Sequence, residues 1–337
     1  MGIDITDGIE SGKVRLKVLT TNEVNLTLLT EDKFEGKVIQ PGKSANRVSG
    51  EHGFAMIMEI NDEEEKQLFL IDTGGLQQTI FENSKQFRIK LNEVDKLFLS
   101  HGHFDHFGAL TKVIPELKEG CEFYLNPLCY VQLFAAVTKS GEELAPEDVS
   151  IKVKQLEKEG KVKLTGKSPQ LNKNVIHNLA NQNGVKIIET NKPVKLYKGI
   201  TTSGEIELFD EDEVSKGIYI MKSRKEFEKH YFKDETSFYI NVKGKGLVVI
   251  TSCGHSGIIN TIKHGQKLTG IDKIYAVIGG FHEEWNSPEI IEQKVKFLEN
   301  LNPEIICGMH CTGFEFNRIM ARHPSHTLGV VGTEFHL

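Results

Sequence analysis

One short run constrains this chain more than any other feature. Leu99-Ser100-His101-Gly102-His103-Phe104-Asp105-His106-Phe107-Gly108 sets three imidazoles and a carboxylate directly after an apolar stretch. Imidazole nitrogen and carboxylate oxygen are donors that zinc, iron and manganese accept, and neutral histidine at pH 7 needs little deprotonation to bind. Residues two apart on a helix diverge, so His101 and His103 must be presented by a turn. Gly102 is expected to supply the backbone freedom for it. Asp105 and His106, opening the next helix, can then face a second ion. The expectation is a divalent transition-metal site of one or two ions, zinc first, iron or manganese as alternatives. The competing reading makes these capping or surface histidines, with Asp105 as a helix N-cap.

The scaffold around the run reads as α/β. Short stretches rich in Val, Ile, Leu and Phe have strand length: Phe54 to Ile60, Leu68 to Ile71, Leu97 to Leu99, Ser237 to Val242, Leu247 to Ile250, Ile274 to Ile278 and Glu304 to Cys307. Helical patterns lie at Gly75 to Phe87, His106 to Leu117, Ile258 to Leu268 and Pro288 to Leu301. Ser237 to Ile250 reads as a hairpin around Lys243-Gly244-Lys245-Gly246, and the whole as sheets covered by helices. The 337 residues suit a single large domain, 1–337, with an insertion at about 138–191, where Lys, Glu, Asn and Gln dominate. That insertion is either a solvated surface of helices and loops or a cap over the site.

A net charge of −6 gives no basic field for nucleic acid or an anionic membrane. No apolar run at the N-terminus or later has signal or spanning length, so a cytoplasmic protein is expected. Five cysteines form no CxxC pair, and an odd count is awkward for a disulfide framework. Cys253 and Cys311, each within two residues of a histidine in the motifs below, rank second as ligand or redox candidates.

The HGHFDH run resembles the signature of the metallo-beta-lactamase superfamily, which implies a four-layer αββα sandwich. More narrowly, the chain resembles the dihydropterin-ribofuranosylaminobenzene-phosphate synthase family. The residues that carry this are Glu51-His52-Gly53-Phe54, Phe69-Leu70-Ile71-Asp72-Thr73-Gly74, the run above, Asp234-Glu235, Gly254-His255-Ser256-Gly257-Ile258, Gly279-Gly280-Phe281-His282 and His310-Cys311-Thr312-Gly313. His255 and His310 follow strands, where ligands of the resembled fold project, and join the metal candidates. Asp72 is expected behind the metal, accepting a hydrogen bond from a ligand imidazole. Gly280 and His282 are expected to face substrate, His282 also as a proton donor or acceptor. His52 is a substrate-binding candidate, with a turn role as its competitor. Many members bridge two metals with a late Asp, whereas the matching strand end here carries Gly254-His255.

The reading that follows is a metal-dependent hydrolase or transferase acting on a phosphorylated small molecule, in which Asp105 orients or relays a proton. The resemblance implies a condensation in which a dihydropterin diphosphate joins a ribosyl-aminobenzene phosphate and diphosphate leaves. An iron-binding redox protein on the same ligands is the alternative.

Overall fold

Strand periodicity sorts the apolar residues into layers. In Val14–Thr20 and Ala55–Asn61, the residues Val14, Leu16, Val18, Met56, Met58 and Ile60 point into one core, while Leu19, Ala55 and Ile57 point into another. Phe238–Val242 and Gly246–Thr251 repeat the pattern: Phe238, Ile240, Val248 and Ile250 join the first core, Tyr239, Leu247 and Val249 a third. Two sheets therefore share a central core and each buries its outer face under helices. This is the αββα sandwich. The structure, a computed structural model, describes residues 2–25, 27–28, 34–42, 47–63, 65–140 and 142–337.

The first sheet has eight strands, in the spatial order Val38–Ile39, Glu334–His336, Val14–Thr20, Ala55–Asn61, Lys66–Ile71, Lys96–Leu99, Glu122–Leu125 and Lys186–Glu189. Its last four strands are parallel. The second sheet has six, in the order Lys195–Tyr197, Ile200–Thr202, Phe238–Val242, Gly246–Thr251, Ile274–Gly279 and Ile305–Gly308. Its last three are parallel, and Thr251, Gly279 and Gly308 lie level. Loops that leave the carboxyl ends of parallel strands are where open α/β sheets bind ligands. Both sheets carry their candidate residues there.

The helices Ile258–Thr269 and Pro288–Leu301 lie where their apolar spacing puts them. Two others depart from expectation. The pattern at 75–87 becomes helical only from Ile80, because Gln78 takes a left-handed φ of 63° that a right-handed helix excludes, with the Glu51 carboxylate accepting from the N–H groups of Gln77, Gln78 and Thr79 ahead of it. The segment from 106 to 117 is broken into Phe104–Phe107, Leu110–Val113 and a 3-10 turn at Ile114–Glu116. Thr73 removes the His106 carbonyl from helical pairing, donating to it from its N–H (2.8 Å) and its hydroxyl (3.0 Å). Gly108 meanwhile packs on Gly75, whose carbonyl carbon would stand 2.3 Å from any Cβ.

The polar stretch 138–191 divides between two places. Strand Val162–Lys167 belongs to a third, four-stranded sheet with Leu133–Thr138, Ile218–Ser223 and Glu226–Lys229, and helix Pro146–Lys158 packs Val149 and Val153 on that sheet. Helix Lys173–Gln182 and strand Lys186–Glu189 instead complete the edge of the first sheet and cover its outer core. Among the described residues, no helix is long and apolar enough to cross a membrane.

Candidate metal centre

Strand Lys96–Leu99 delivers the histidine run to the carboxyl edge of the first sheet, and the turn folds the rings onto one another. His101 has ring centroids 4.6 Å from His103, 4.2 Å from His106 and 4.8 Å from His255, which arrives from the second sheet. His103 and His255 stand 4.5 Å apart, His106 and His310 5.1 Å. Asp105 Oδ2 lies 3.2 Å from His310 Nε2, 3.3 Å from His52 Nε2 and 3.7 Å from His106 Nε2. His282 packs 4.1 Å from His255. The structure thus gathers all six metal candidates, together with His52 and His282, around one space.

Gly102 serves this turn differently from the expectation. Its φ is not in the left-handed region; a Cβ there would meet Cys129 O at 2.6 Å, so the residue is needed for close approach. Gly280 is buried and backs onto Ser252 O, Cys253 and Cys311 rather than lining the cavity.

Behind each ring a polar partner fixes its orientation. Asp72, held at φ 58°, accepts from Ser100 N and Ser100 Oγ, both at 2.7 Å, and from His106 Nδ1 at 2.7 Å. Since Ser100 donates to Asp72, its oxygen is left to accept from His101 Nδ1, 2.9 Å away. His310 Nδ1 lies 3.1 Å from Asn22 Oδ1, and Ser215 Oγ lies 3.2 Å from His255 Nδ1 and 3.1 Å from His282 Nδ1. Asp234 accepts from Gly102 N (2.8 Å), and Glu235 accepts from His255 N (2.8 Å) and Ser256 N (2.7 Å). This acidic pair ties the turns of both sheets together. Phe232 stacks on His255 at 4.3 Å.

With Nδ1 engaged, Nε2 is the free end. The Nε2 atoms of His101, His106 and His255 are buried without a hydrogen-bond partner, and that of His310 meets only the Asp105 carboxylate, 3.2 Å away. Each unmatched buried group costs about 1–3 kcal/mol, so three converging on one space fit a bound cation that takes their lone pairs. Their protonation suits it. Burial, and then the neighbouring rings, hold His101 and His255 well below the ordinary imidazole range. Burial brings His103 down to about 4 and His282 to about 3. His106 moves up: burial opposes its charge, but Asp72 and Asp105 outweigh that. Asp105 stays ionised because His106 and His310 outweigh its burial.

A cavity of about 520 Å³ opens over the cluster. Its floor includes His52, His103, Asp105, His255, His282 and His310, and its roof includes Leu133, Phe134, Ala135, Leu164 and Ile218 of the small sheet, with Phe104 and Trp285 beside them. No lysine or arginine is among the described residues that line it. A larger groove, about 920 Å³ beside Phe34, Phe314 and Leu328, holds none of these imidazoles.

Sequence reasoning did not single out Ser100, Ser215, Asn22, Phe134 or Leu164. Ser100 had a signal in its place between strand and first ligand; the others are isolated residues in loops or strands far away in sequence.

A sequence model of the metallo-beta-lactamase superfamily matches residues 51–118. The chain is 30% identical over 271 residues to the 7,8-dihydropterin-6-methyl-4-(beta-D-ribofuranosyl)-aminobenzene-5'-phosphate synthase of Methanocaldococcus jannaschii, covering 79% of this chain and 82% of the relative. The chain belongs to that synthase's family, within the metallo-beta-lactamase superfamily. An uncharacterised protein of the same organism, MJ0448, is 28% identical over 296 residues, 88% of this chain and 97% of its own length. The fold is shared with Tm1679, a metal-dependent hydrolase of the beta-lactamase superfamily, at a TM-score of 0.67 and 21% identity, covering 96% of this chain and 99% of that one.

Proposed function

We propose that this superfamily member is a metal-dependent enzyme whose substrate is a small molecule with a flat ring and a phosphorylated end. The reaction named for the synthase relative, a pterin-type condensation, is the first candidate. The observation that carries this reading is the pairing of three unmatched Nε2 atoms, beside the His310–Asp105 pair, below with an apolar roof above. His101, His103 and His255 would hold one ion, and Asp105, His106 and His310 a second. Zinc suits such a donor set, and iron or manganese could take it. A divalent ion bound there supplies Lewis acidity toward phosphoryl oxygens.

The protein's own part follows from the lining. With no lysine or arginine among the described residues of the cavity wall, an anionic end finds no ion-pair partner among them and is drawn to the floor. Phe134, Leu164 and Trp285 offer the ring an apolar surface and shed water from it. Asp105, ionised and within reach of His52 and His310, can accept a hydrogen bond and so orient a water or a substrate group at the floor. His282 is neutral at pH 7 and offers a hydrogen bond rather than a charge.

The test is metal quantification on purified protein, followed by assays with a dihydropterin diphosphate plus a ribosyl-aminobenzene phosphate, and with generic phosphodiester, lactam and thioester substrates. Bound metal with turnover supports the enzyme, and diphosphate release in the first assay supports the condensation. Stoichiometric iron with a reversible optical change and no turnover would instead support a redox protein, a reading favoured only by the two thiols in the cavity wall, Cys253 and Cys311.

A further inference from the structure

Three of the possible ligand groups share one atom. The Cys253 thiol lies within 4.8 Å of ligand nitrogens of His101 and His106, of His255 and His282, and of His310 together with the Cys311 thiol. No other described residue belongs to three such groups. Cys253 is 2% exposed and sits two residues beyond the end of strand Gly246–Thr251. Its sulfur therefore occupies the middle ground between rings sent by the first sheet and rings sent by the second.

The carboxylates nearby leave this position to the sulfur. Asp105 is the only carboxylate in any of these groups among the described residues, and its group is the one with His52 and His310. Asp72 is committed to Ser100 and His106, Asp234 to Gly102 N, and Glu235 to His255 N and Ser256 N. Gly280 makes the space: a Cβ there would stand 3.1 Å from Cys253 Cα and 3.0 Å from Cys311 Sγ. A thiolate is a soft donor that zinc and iron accept, and a coordinated thiol is deprotonated outright.

We propose that Cys253 is a metal ligand placed between the two ion positions, its sulfur standing where a bridging carboxylate would otherwise be needed. The proposal rests on the metal centre described above. On coordination the S–H bond breaks, the electron pair stays on sulfur and the proton leaves to solvent; no electron is exchanged with an outside oxidant.

Cobalt(II) added to the metal-free full-length protein tests it without reference to turnover. The wild type should show a sulfur-to-cobalt charge-transfer band in the near ultraviolet. Cys253→Ser should lose that band and weaken cobalt binding about tenfold or more, whereas Cys311→Ser should keep the band. Cys253→Asp should recover cobalt stoichiometry without the band, which separates loss of a ligand from loss of fold. A band that survives in Cys253→Ser overturns the assignment, as does a wild type that binds cobalt and shows no band. A metal-loaded protein two mass units light until reduced would also overturn it, because the sulfur would then be in a disulfide with Cys311, 3.1 Å away. A wild type that binds no cobalt, zinc, iron or manganese would remove the metal reading itself, a result distinct from the others.

Discussion

The two sheets reach the same centre by different means. The first compresses His101, His103, Asp105 and His106 into one turn after one strand, and backs them with a single carboxylate, Asp72, directly at His106 and through Ser100 at His101. The second sends His255, His282 and His310 singly, each from the end of one of three parallel strands that finish level, and backs them with the neutral groups of Ser215 and Asn22. Geometry on the first side is set by a local backbone turn. On the second side it is set by sheet register and by loops that must be held from outside.

The largest effect should come where the two contributions touch. His103 contacts both His101 and His255, so His103→Ala removes a donor and a spacer together. Elemental analysis should show metal content collapsing, and turnover should vanish with it. Full metal and full turnover in that variant would break the picture of one shared centre. The next effect is on stability. The loop after strand Ile274–Gly279 places His282 beside Glu283, whose fully buried carboxylate lies 2.9 Å from Lys294 Nζ, with Glu213 at 3.3 Å. Lys294→Met leaves two carboxylates facing each other in the interior, which should cost about 3–5 kcal/mol in urea unfolding. Adding Glu283→Gln should recover part of it. A loss below about 1 kcal/mol would mean that this loop is not held from outside.

That contrast also explains what the sequence exposed. A contiguous ligand run is visible because its meaning is local, and the strand periods of Val14–Thr20 and Phe238–Val242 declare the layers in the same way. His255 and His310 were legible through short motifs at strand ends. Their supports were not: Ser215 meets His255 across 40 residues and Asn22 meets His310 across 288, and neither carries a local pattern. The continuous helix expected at 106–117 failed for the same reason, since a tertiary hydrogen bond from Thr73 overrides helical spacing. Composition marked 138–191 as unlike its surroundings but could not show where the third sheet ends. Strand Val162–Lys167 has little buried surface, and its alternation is only two apolar residues long, Val162 and Leu164, before Gly166 breaks it.

The supports themselves offer a finer comparison. Asp72→Asn should weaken metal binding about 10–100-fold, because it removes charge behind two ligands at once. Ser215→Ala also frees two rings, yet it deletes only neutral hydrogen bonds worth about 0.5–1.5 kcal/mol each. Its effect on metal affinity, measured by chelator competition, should be clearly smaller. Equal losses would show that charge is not what distinguishes the two sides.

The smallest effect is a dependence on pH in the metal-free protein. Burial holds His103 near 4 and His282 near 3, below the ordinary value of 6.5, so the folded chain refuses protons that the unfolded chain accepts. Between about 6.5 and 4 the unfolded state binds more protons, and stability should fall as pH falls through that window, then level off above it. His106 runs the other way: its raised value adds stability at low pH and loses it as pH rises. Because His101 and His103 from the first sheet and His255 and His282 from the second are all held low, His282→Gln should reduce the pH slope of the urea midpoint by at most one proton and leave the share of the other three intact. A wild-type midpoint that stays flat between pH 5 and 7.5 would mean that these rings are not kept neutral by burial, and the two sheets would then share no dry floor for an ion.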